Sequence, residues 1–127
     1  MTRIVDLLAG AGALALACLV SSTSFAADGP EAAKIRSAVP ASVKQQGLNV
    51  GYADYPPDQY TESNGQPVGW VVDLLKEVGD VMGVKVNFSL VASFQSLLPG
   101  LQARKYDVAA GGFSITEERK KAFDFVS

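Results

Sequence analysis

The residue types and spacing best suited to ligand chemistry lie near the end of the chain, in the run Gly-Gly-Phe-Ser-Ile-Thr-Glu-Glu-Arg at positions 111–119. Gly111 and Gly112 let a ligand approach the backbone closely, because no Cβ stands in the way. A helix start at Ser114 offers unpaired amide donors and a positive dipole end, both suited to a carboxylate. One turn later, the guanidinium of Arg119 adds a planar two-pronged donor. This run indicates a site for a small carboxylate.

The same run also has a purely structural interpretation. Ser114 and Glu117 have the spacing of a capping box, which stabilises a helix end without any ligand. Arg119 has charged neighbours on both sides and suits a solvated helix face equally well. Its position beside two glycines keeps both interpretations of Arg119 open.

Further candidates lie in a proline-rich turn and on a predicted helix. The turn Asp-Tyr-Pro-Pro-Asp at 54–58 cannot continue a sheet, because proline lacks an amide donor. Tyr55 can stack on a ligand or cover the edge of the core. Phe94 lies on an apolar helical stripe and suits the core. Asp54 and Asp58 are typical turn residues, although either can receive an ammonium group.

The elements that must position these residues follow from the spacing of apolar side chains. Strands are predicted at 48–52, 84–90, 106–110 and 123–126. Helices are predicted at 70–82, 93–101 and 114–121, with Gly83 ending the first. This alternation predicts an α/β fold with a parallel sheet and right-handed crossovers. Ligands of such sheets bind beyond the carboxyl ends of the strands, where residues 54–57 and 111–114 fall.

Residues 1–26 have the pattern of a cleaved secretory signal. Arg3 supplies a basic start, and a nearly continuous apolar run covers positions 7–20. The run is short for a membrane span, and the small residues Ser24 and Ala26 fit signal peptidase, so we place the cut after Ala26. Cys18 raises the alternative of a lipid anchor. Apolar residues continue past Cys18, which favours export without the anchor.

Composition excludes several classes of function. The chain has 127 residues with 11 basic and 13 acidic side chains, no histidine and one cysteine. A net charge of −2 without a basic cluster gives no electrostatic basis for binding nucleic acid. If Cys18 leaves with the signal, the exported chain has no disulfide, no thiol nucleophile and none of the common zinc ligand sets. We therefore expect neither a metal nor a cofactor.

Five motifs together resemble a known family. They are Val68-Gly69-Trp70, Asp73-Leu74, Leu98-Pro99-Gly100-Leu101, Tyr106-Asp107-Val108 and the run from Ser114 to Phe125. The set resembles the N-terminal lobe of the family 3 periplasmic solute-binding proteins, which serve polar amino acid importers, and the similarity extends from residue 48 to the end. It implies a parallel-sheet α/β lobe of the periplasmic binding protein-like (type II) fold. Residues 27–46 are then a leader segment and 47–127 an incomplete N-terminal lobe.

The resemblance implies a binding protein and not an enzyme. Such a protein captures a polar amino acid in the periplasm without chemistry and delivers it to the permease of an ABC transporter in the inner membrane. It acts as a monomer and needs neither cofactor nor nucleic acid. Because family members close two lobes around the ligand, we expect weak binding by this chain alone.

The resemblance also implies roles for individual residues. Arg119 is expected to hold the α-carboxylate of the ligand, with help from the Ser114 hydroxyl. The backbone at Gly111 and Gly112 is expected to contact the α-amino group.

Two aromatic residues, Tyr55 and Phe94, are expected from the same resemblance to enclose the ligand side chain. The sequence departs from the family close to this point. The position after Pro57, usually aromatic, is Asp58, and Tyr60 follows two residues later. This departure shifts the expected ligand toward a cationic or cyclic compound.

Two other functions stay open from the sequence. One is a periplasmic dehydratase resembling cyclohexadienyl dehydratase on the same fold, with Asp54, Asp58 or Glu62 as acid candidates. The other is a sensory or cell-wall enzyme module that contains this lobe. A binding protein returns its ligand unchanged, whereas the dehydratase consumes it.

We expect expression of the chain in a Gram-negative bacterium to yield a periplasmic protein beginning at Ala27, because signal peptidase cuts after small residues. Intact-mass spectrometry of the periplasmic fraction measures this. The matched control is Ala26→Arg, which should block the cut. A product carrying a lipid on Cys18 would contradict the prediction.

Overall fold

The computed structural model describes residues 29–126, so the predicted signal sequence, its cleavage site and Cys18 lie outside the described residues. The elements in chain order are α1 (Pro30–Ala38), α2 (Ala41–Gln46), β1 (Leu48–Tyr52), β2 (Tyr60–Thr61), β3 (Pro67–Val68), α3 (Trp70–Met82), β4 (Val86–Leu90), a 3-10 turn (Phe94–Ser96), α4 (Leu97–Gln102), β5 (Val108–Ala110) and α5 (Glu117–Lys120). No helix in this range is long and apolar enough to cross a bilayer.

Three parallel strands form the main sheet in the order β4-β1-β5. In the register of the sheet, Val50 lies opposite Phe88 on one side and Val108 on the other. The central strand β1 is almost entirely buried, as expected for a parallel strand covered on both faces. The α/β prediction with a parallel sheet is confirmed.

Helices cover both faces of β1. Leu48, Val50 and Tyr52 form one core cluster, against which apolar side chains of α3 pack. Gly51 points to the opposite face, where a Cβ at this position would lie 2.5 Å from the ring of Tyr106. On that face Tyr106 packs with Leu97 of α4. The missing side chain at Gly51 therefore makes room for the aromatic ring that joins β1 to α4.

Helix α3 spans the residues that the sequence predicts. Its apolar positions recur at helical spacing, and Val72 is fully buried. Gly83 ends the helix in the left-handed region with φ 70° and ψ 34°, a conformation that glycine adopts without a steric penalty. Buried Gly79 lets α3 approach β4, since a Cβ there would contact Val86.

The predicted leader segment contains two helices, and the first of them, α1, packs against α3. Ala32 and Val39 are buried, and Arg36 Nε donates a hydrogen bond to Val81 O at 3.0 Å. The sequence gives little sign of this packing, because so few apolar residues make the contact. Helix α1 thus extends the lobe along α3, whereas Val43 of α2 packs against the β1 core cluster.

Two predicted elements near the chain end are wrong. Residues 123–126 form no strand, because an extended apolar run becomes a strand only where another strand pairs with it. The helix predicted at 114–121 begins only at Glu117 and has four residues.

Two shorter regions also differ from the sequence prediction. The helix predicted at 93–101 opens as a 3-10 turn, and Pro99 lies in the first turn of α4, where its missing amide costs little. An antiparallel pair, β2 with β3, was not predicted, because two-residue strands leave no alternating pattern. The turn between them contains Gly65 at φ 81°.

Tyr106 makes folding sensitive to alkaline pH. The side chain is 6% exposed, and its hydroxyl donates to Leu97 O. Burial raises the pKa of Tyr106 above that of an exposed tyrosine. The contribution of neutral Tyr106 to the free energy of unfolding is therefore complete below about pH 10, the pKa of tyrosine in the unfolded chain. It is lost as the pH rises from there through the higher pKa of Tyr106 in the folded protein.

We therefore expect the free energy of unfolding to fall above about pH 10 in wild type and to fall less steeply in Tyr106→Phe. Urea unfolding followed by circular dichroism at several alkaline pH values measures this. Tyr55→Phe, at an exposed tyrosine, is the matched control and should follow wild type. An equally steep loss in Tyr106→Phe contradicts the prediction.

Candidate functional site

The carboxyl ends of β1 and β5 lie side by side at one edge of the sheet. Tyr52 and Ala110 are the last paired residues, so Ala53 and Gly111 leave the sheet at the same level. We call residues 54–59 the proline turn and residues 111–113 the glycine turn. Parallel pairing thus brings together the two segments that carry Tyr55, Gly111 and Gly112.

The proline turn presents Tyr55 to solvent. Tyr55 N donates to Gln59 O at 2.6 Å, and Gln59 N donates to Tyr55 O at 3.1 Å. The peptide bond between Pro56 and Pro57 is cis. These contacts hold the backbone of Tyr55, while its side chain is 63% exposed. The ring is therefore available to a ligand and does not cover the core.

Phe94 stacks on Phe113, with ring centroids 4.6 Å apart and an angle of 26° between the planes. Phe94 lies on the 3-10 turn and is 36% exposed, so it is not a core residue. At Gly111, a Cβ would lie 2.8 Å from Phe94 Cε2. Glycine at this position therefore permits the aromatic pair to lie directly against the strand end.

Gly112 lies at the apex of the glycine turn. Phe113 N donates to Gly111 O at 2.9 Å, which closes a three-residue turn. A Cβ at Gly112 would meet nothing within 4 Å. The peptide groups around Gly112 consequently face open space.

Arg119 is anchored to the segment that precedes its helix. Its Nη1 donates to Ser114 O at 2.9 Å. The N-cap of α5 is Thr116, whose hydroxyl accepts from Arg119 N at 3.2 Å. The capping box expected between Ser114 and Glu117 is therefore wrong. Because α5 is a single turn of four residues, the anion site expected from a helix start loses its physical basis.

The six predicted site residues form two connected groups. Gly111 contacts Phe94, and Ser114 contacts Arg119, with the glycine turn as the covalent link between the two pairs. Tyr55 is connected to the first pair through Gln59. The backbone of Gln59 bonds to Tyr55, and its side chain donates to Ala110 O, next to Gly111. The second pair lines a shallow cleft of about 660 Å³, whose walls are Ser114, Thr116, Glu118, Arg119, Ala122 and Phe123.

The acid candidates are engaged in local structure. Asp54 Oδ1 accepts from the backbone and hydroxyl of Thr61 at 2.8 and 3.0 Å. Asp58 Oδ1 accepts from the indole of Trp70 at 2.9 Å, and Glu62 accepts from the side-chain amide two residues later. Within residues 29–126, no cluster of acidic, histidine or cysteine side chains is arranged to hold a metal ion.

Sequence reasoning missed two residues of this site. Phe113 was not considered although it follows the two glycines, a position from which an aromatic ring can reach the strand end. The sequence does not predict a buried Gln59, because a glutamine close to two prolines is typical of a solvent-exposed turn. In the structure Gln59 is buried with 1% exposure.

Comparisons with known proteins agree on one family. The model of the bacterial extracellular solute-binding proteins, family 3, matches residues 48–127. Arginine-binding protein ArgT of Corynebacterium glutamicum is 34% identical over 95 residues, which are 73% of this chain and 31% of ArgT. ABC transporter arginine-binding protein 1 of Escherichia coli K12 is 35% identical over 114 residues, 90% of this chain and 41% of that protein.

A solved structure matches at the level of a single domain. Domain 1 of TmArgBP, from T. maritima, in its arginine-bound form has a TM-score of 0.58 and 41% identity, covering 65% of this chain and 67% of that domain. The chain thus spans between 31% and 41% of the two curated relatives. On the match over residues 48–127, the chain belongs to the bacterial extracellular solute-binding proteins, family 3.

Proposed function

We propose that this chain forms one lobe of a periplasmic receptor that binds a cationic amino acid, L-arginine first, and releases it unchanged. The observation that carries the proposal is that the proline turn, with its exposed Tyr55, and the glycine turn begin at the same sheet edge. The anchored guanidinium of Arg119 follows the glycine turn along the chain. These groups match the side chain, the amino group and the carboxylate of an amino acid. The names of the relatives, which are arginine-binding proteins, support the choice of ligand.

Arg119 would hold the ligand carboxylate. Its hydrogen bond to Ser114 O occupies one N–H, and a guanidinium has five. The ion pairs described within residues 29–126 join Lys76 to Asp73 and Lys120 to Glu117, and none involves Arg119. The hydrogen bond to Ser114 already restrains the Arg119 side chain. Ligand binding would therefore cost less of the conformational entropy of Arg119.

Tyr55 and Phe94 would enclose the cationic side chain. Both rings are exposed at the carboxyl edge, at 63% and 36%. An aromatic face attracts a guanidinium by about 0.5–2 kcal/mol, depending on how much water is removed. The acidic residues Asp54 and Asp58 lie in the same turn as Tyr55 and favour a cation over a neutral side chain.

Export and delivery complete the proposal. The secretory signal predicted at 1–26 supports a periplasmic location, and the family supports delivery to the permease of an ABC transporter. The isolated chain would bind weakly, since one side of the ligand stays in water. The arginine-bound domain 1 of TmArgBP supports the idea that a single lobe can hold the ligand.

We expect L-arginine to bind the purified chain with a dissociation constant above the micromolar range, and Arg119→Ala to weaken binding about tenfold or more, because hydrogen bonds to a charged group contribute about 1.5–3 kcal/mol. Isothermal titration calorimetry measures both. Arg119→Lys should restore little, since an ammonium lacks the planar fork.

Lys120→Ala is the matched control, because Lys120 pairs with Glu117 at 2.8 Å and should not affect the ligand. Equal affinity of the wild type and the Arg119→Ala variant contradicts the role of Arg119. Chemical conversion of a cyclohexadienyl compound, followed by NMR, would favour the dehydratase instead.

The two glycines offer a second matched pair. Gly111→Ala should destabilise the fold by about 1–3 kcal/mol, because its Cβ overlaps Phe94. Gly112→Ala should leave the unfolding midpoint nearly unchanged, because its Cβ meets open space, yet reduce arginine affinity if the ligand lies there. Thermal unfolding and titration of both variants distinguish these effects. Equal stability of the two variants would be the contrary result.

A further inference from the structure

Gln59 is the one amide or charged side chain that residues 29–126 bury completely, with 1% exposure. It is also among the largest fully buried side chains of this range, beside Leu97, Val50 and Val72. A buried amide lowers stability unless its donors and acceptor find partners. The hydrogen-bond partners of Gln59 therefore decide whether a buried amide at this position stabilises the fold.

Both donor hydrogens of Gln59 point to the strand ends. Nε2 donates to Ala110 O at 3.0 Å and, more weakly, to Ala53 O at 3.4 Å. Ala110 ends β5, and Ala53 follows β1, so one side-chain nitrogen connects the two strands just where their ladder stops. Beyond this point the two strands are no longer paired, so the ladder between them supplies no further amide donor to these two carbonyl groups.

The acceptor oxygen of Gln59 is unpaired. Oε1 is buried and has no hydrogen-bond partner among residues 29–126. Rotating the amide by half a turn would turn Oε1 toward two carbonyl oxygens and lose both hydrogen bonds. The two carbonyls therefore determine the orientation of the amide, and this orientation leaves Oε1 without a donor.

Gln59 also contacts each segment of the candidate site. Its backbone closes the proline turn by two hydrogen bonds with Tyr55. Nε2 lies 3.5 Å from the position that a Cβ of Gly111 would take, next to Phe94. A single residue thus couples the turn that carries Tyr55 to the turn that Phe94 packs against.

We propose that Gln59 is a positioning residue: its amide sets the separation between the proline turn and the glycine turn, and thereby the affinity for ligand. The inference rests on the proposed function for its effect on affinity. A glutamate has the same shape as glutamine, but its carboxylate cannot donate to the two carbonyls and repels them. The site therefore requires a neutral donor at this position.

Gln59→Glu and Gln59→Met test the proposal in the purified chain. We expect both variants to bind L-arginine about tenfold more weakly at about pH 8, because loss of the two hydrogen bonds removes the link that holds the two turns together. At about pH 5 a buried glutamic acid is protonated and can donate again, so Gln59→Glu should regain affinity whereas Gln59→Met should not. Asp54 and Asp58 are the acidic groups of the same turn, and the wild-type protein is the reference at each pH.

Amide hydrogen exchange followed by NMR gives a readout that needs no ligand. In Gln59→Met we expect the amides of Tyr55 and Phe113, which close the two turns, to exchange about tenfold faster or more, while the amides of β1 keep their protection. The same result is expected for Gln59→Glu at about pH 8 and not at about pH 5.

The two proposals can fail separately. If wild type does not bind arginine, the proposed function fails, and the exchange rates still decide the role of Gln59. Wild-type affinity in Gln59→Met, unchanged exchange at both turns, or faster exchange throughout the sheet would each overturn the positioning role. The last outcome would make Gln59 an ordinary core residue.

Discussion

The parallel pairing of β1 with β5 is the constraint on which the site depends. It makes Tyr52 and Ala110 the last partners in the sheet, so the chain leaves both strands at one level. The proline turn and the glycine turn begin from these two points. The relative position of these two turns therefore follows from one register, because a shift by one residue would move one turn along the strand and turn its side chains to the other face.

Tyr106 connects the packing of the sheet to the aromatic side of the site. Its ring fills the space above Gly51, and its hydroxyl donates to Leu97 O at the start of α4. The 3-10 turn that carries Phe94 runs directly into α4. Burial of Tyr106 thus determines where Phe94 stands, and a side chain far from any ligand contributes to the shape of the site.

The acidic residues of the proline turn act first as structural groups. Asp54 binds Thr61 and Asp58 binds Trp70, so both stabilise the path from β1 to α3. Asp58 uses its carboxylate to hold the indole of Trp70 at the start of α3. Trp70 remains 60% exposed while its indole makes this contact.

Local sequence patterns determined the elements whose signals act over a few residues. The alternation at 48–52 predicted β1, the helical spacing from Trp70 to Met82 predicted α3, and Gly83 predicted its end, since each depends on backbone preference and on one buried face. The motif resemblance supplied the family and the roles of the six candidate residues. These predictions needed no knowledge of distant contacts.

Tertiary structure alone decided the rest. The apolar run at 123–126 forms no strand, because a strand needs a partner that local preference does not supply. Phe94 lies outside the core, because it stacks on Phe113 at the surface with 36% exposure. Gln59 is a buried connector because its acceptors lie 6 and 51 positions away, and a sequence pattern does not encode a hydrogen bond between segments that meet only when the sheet has formed.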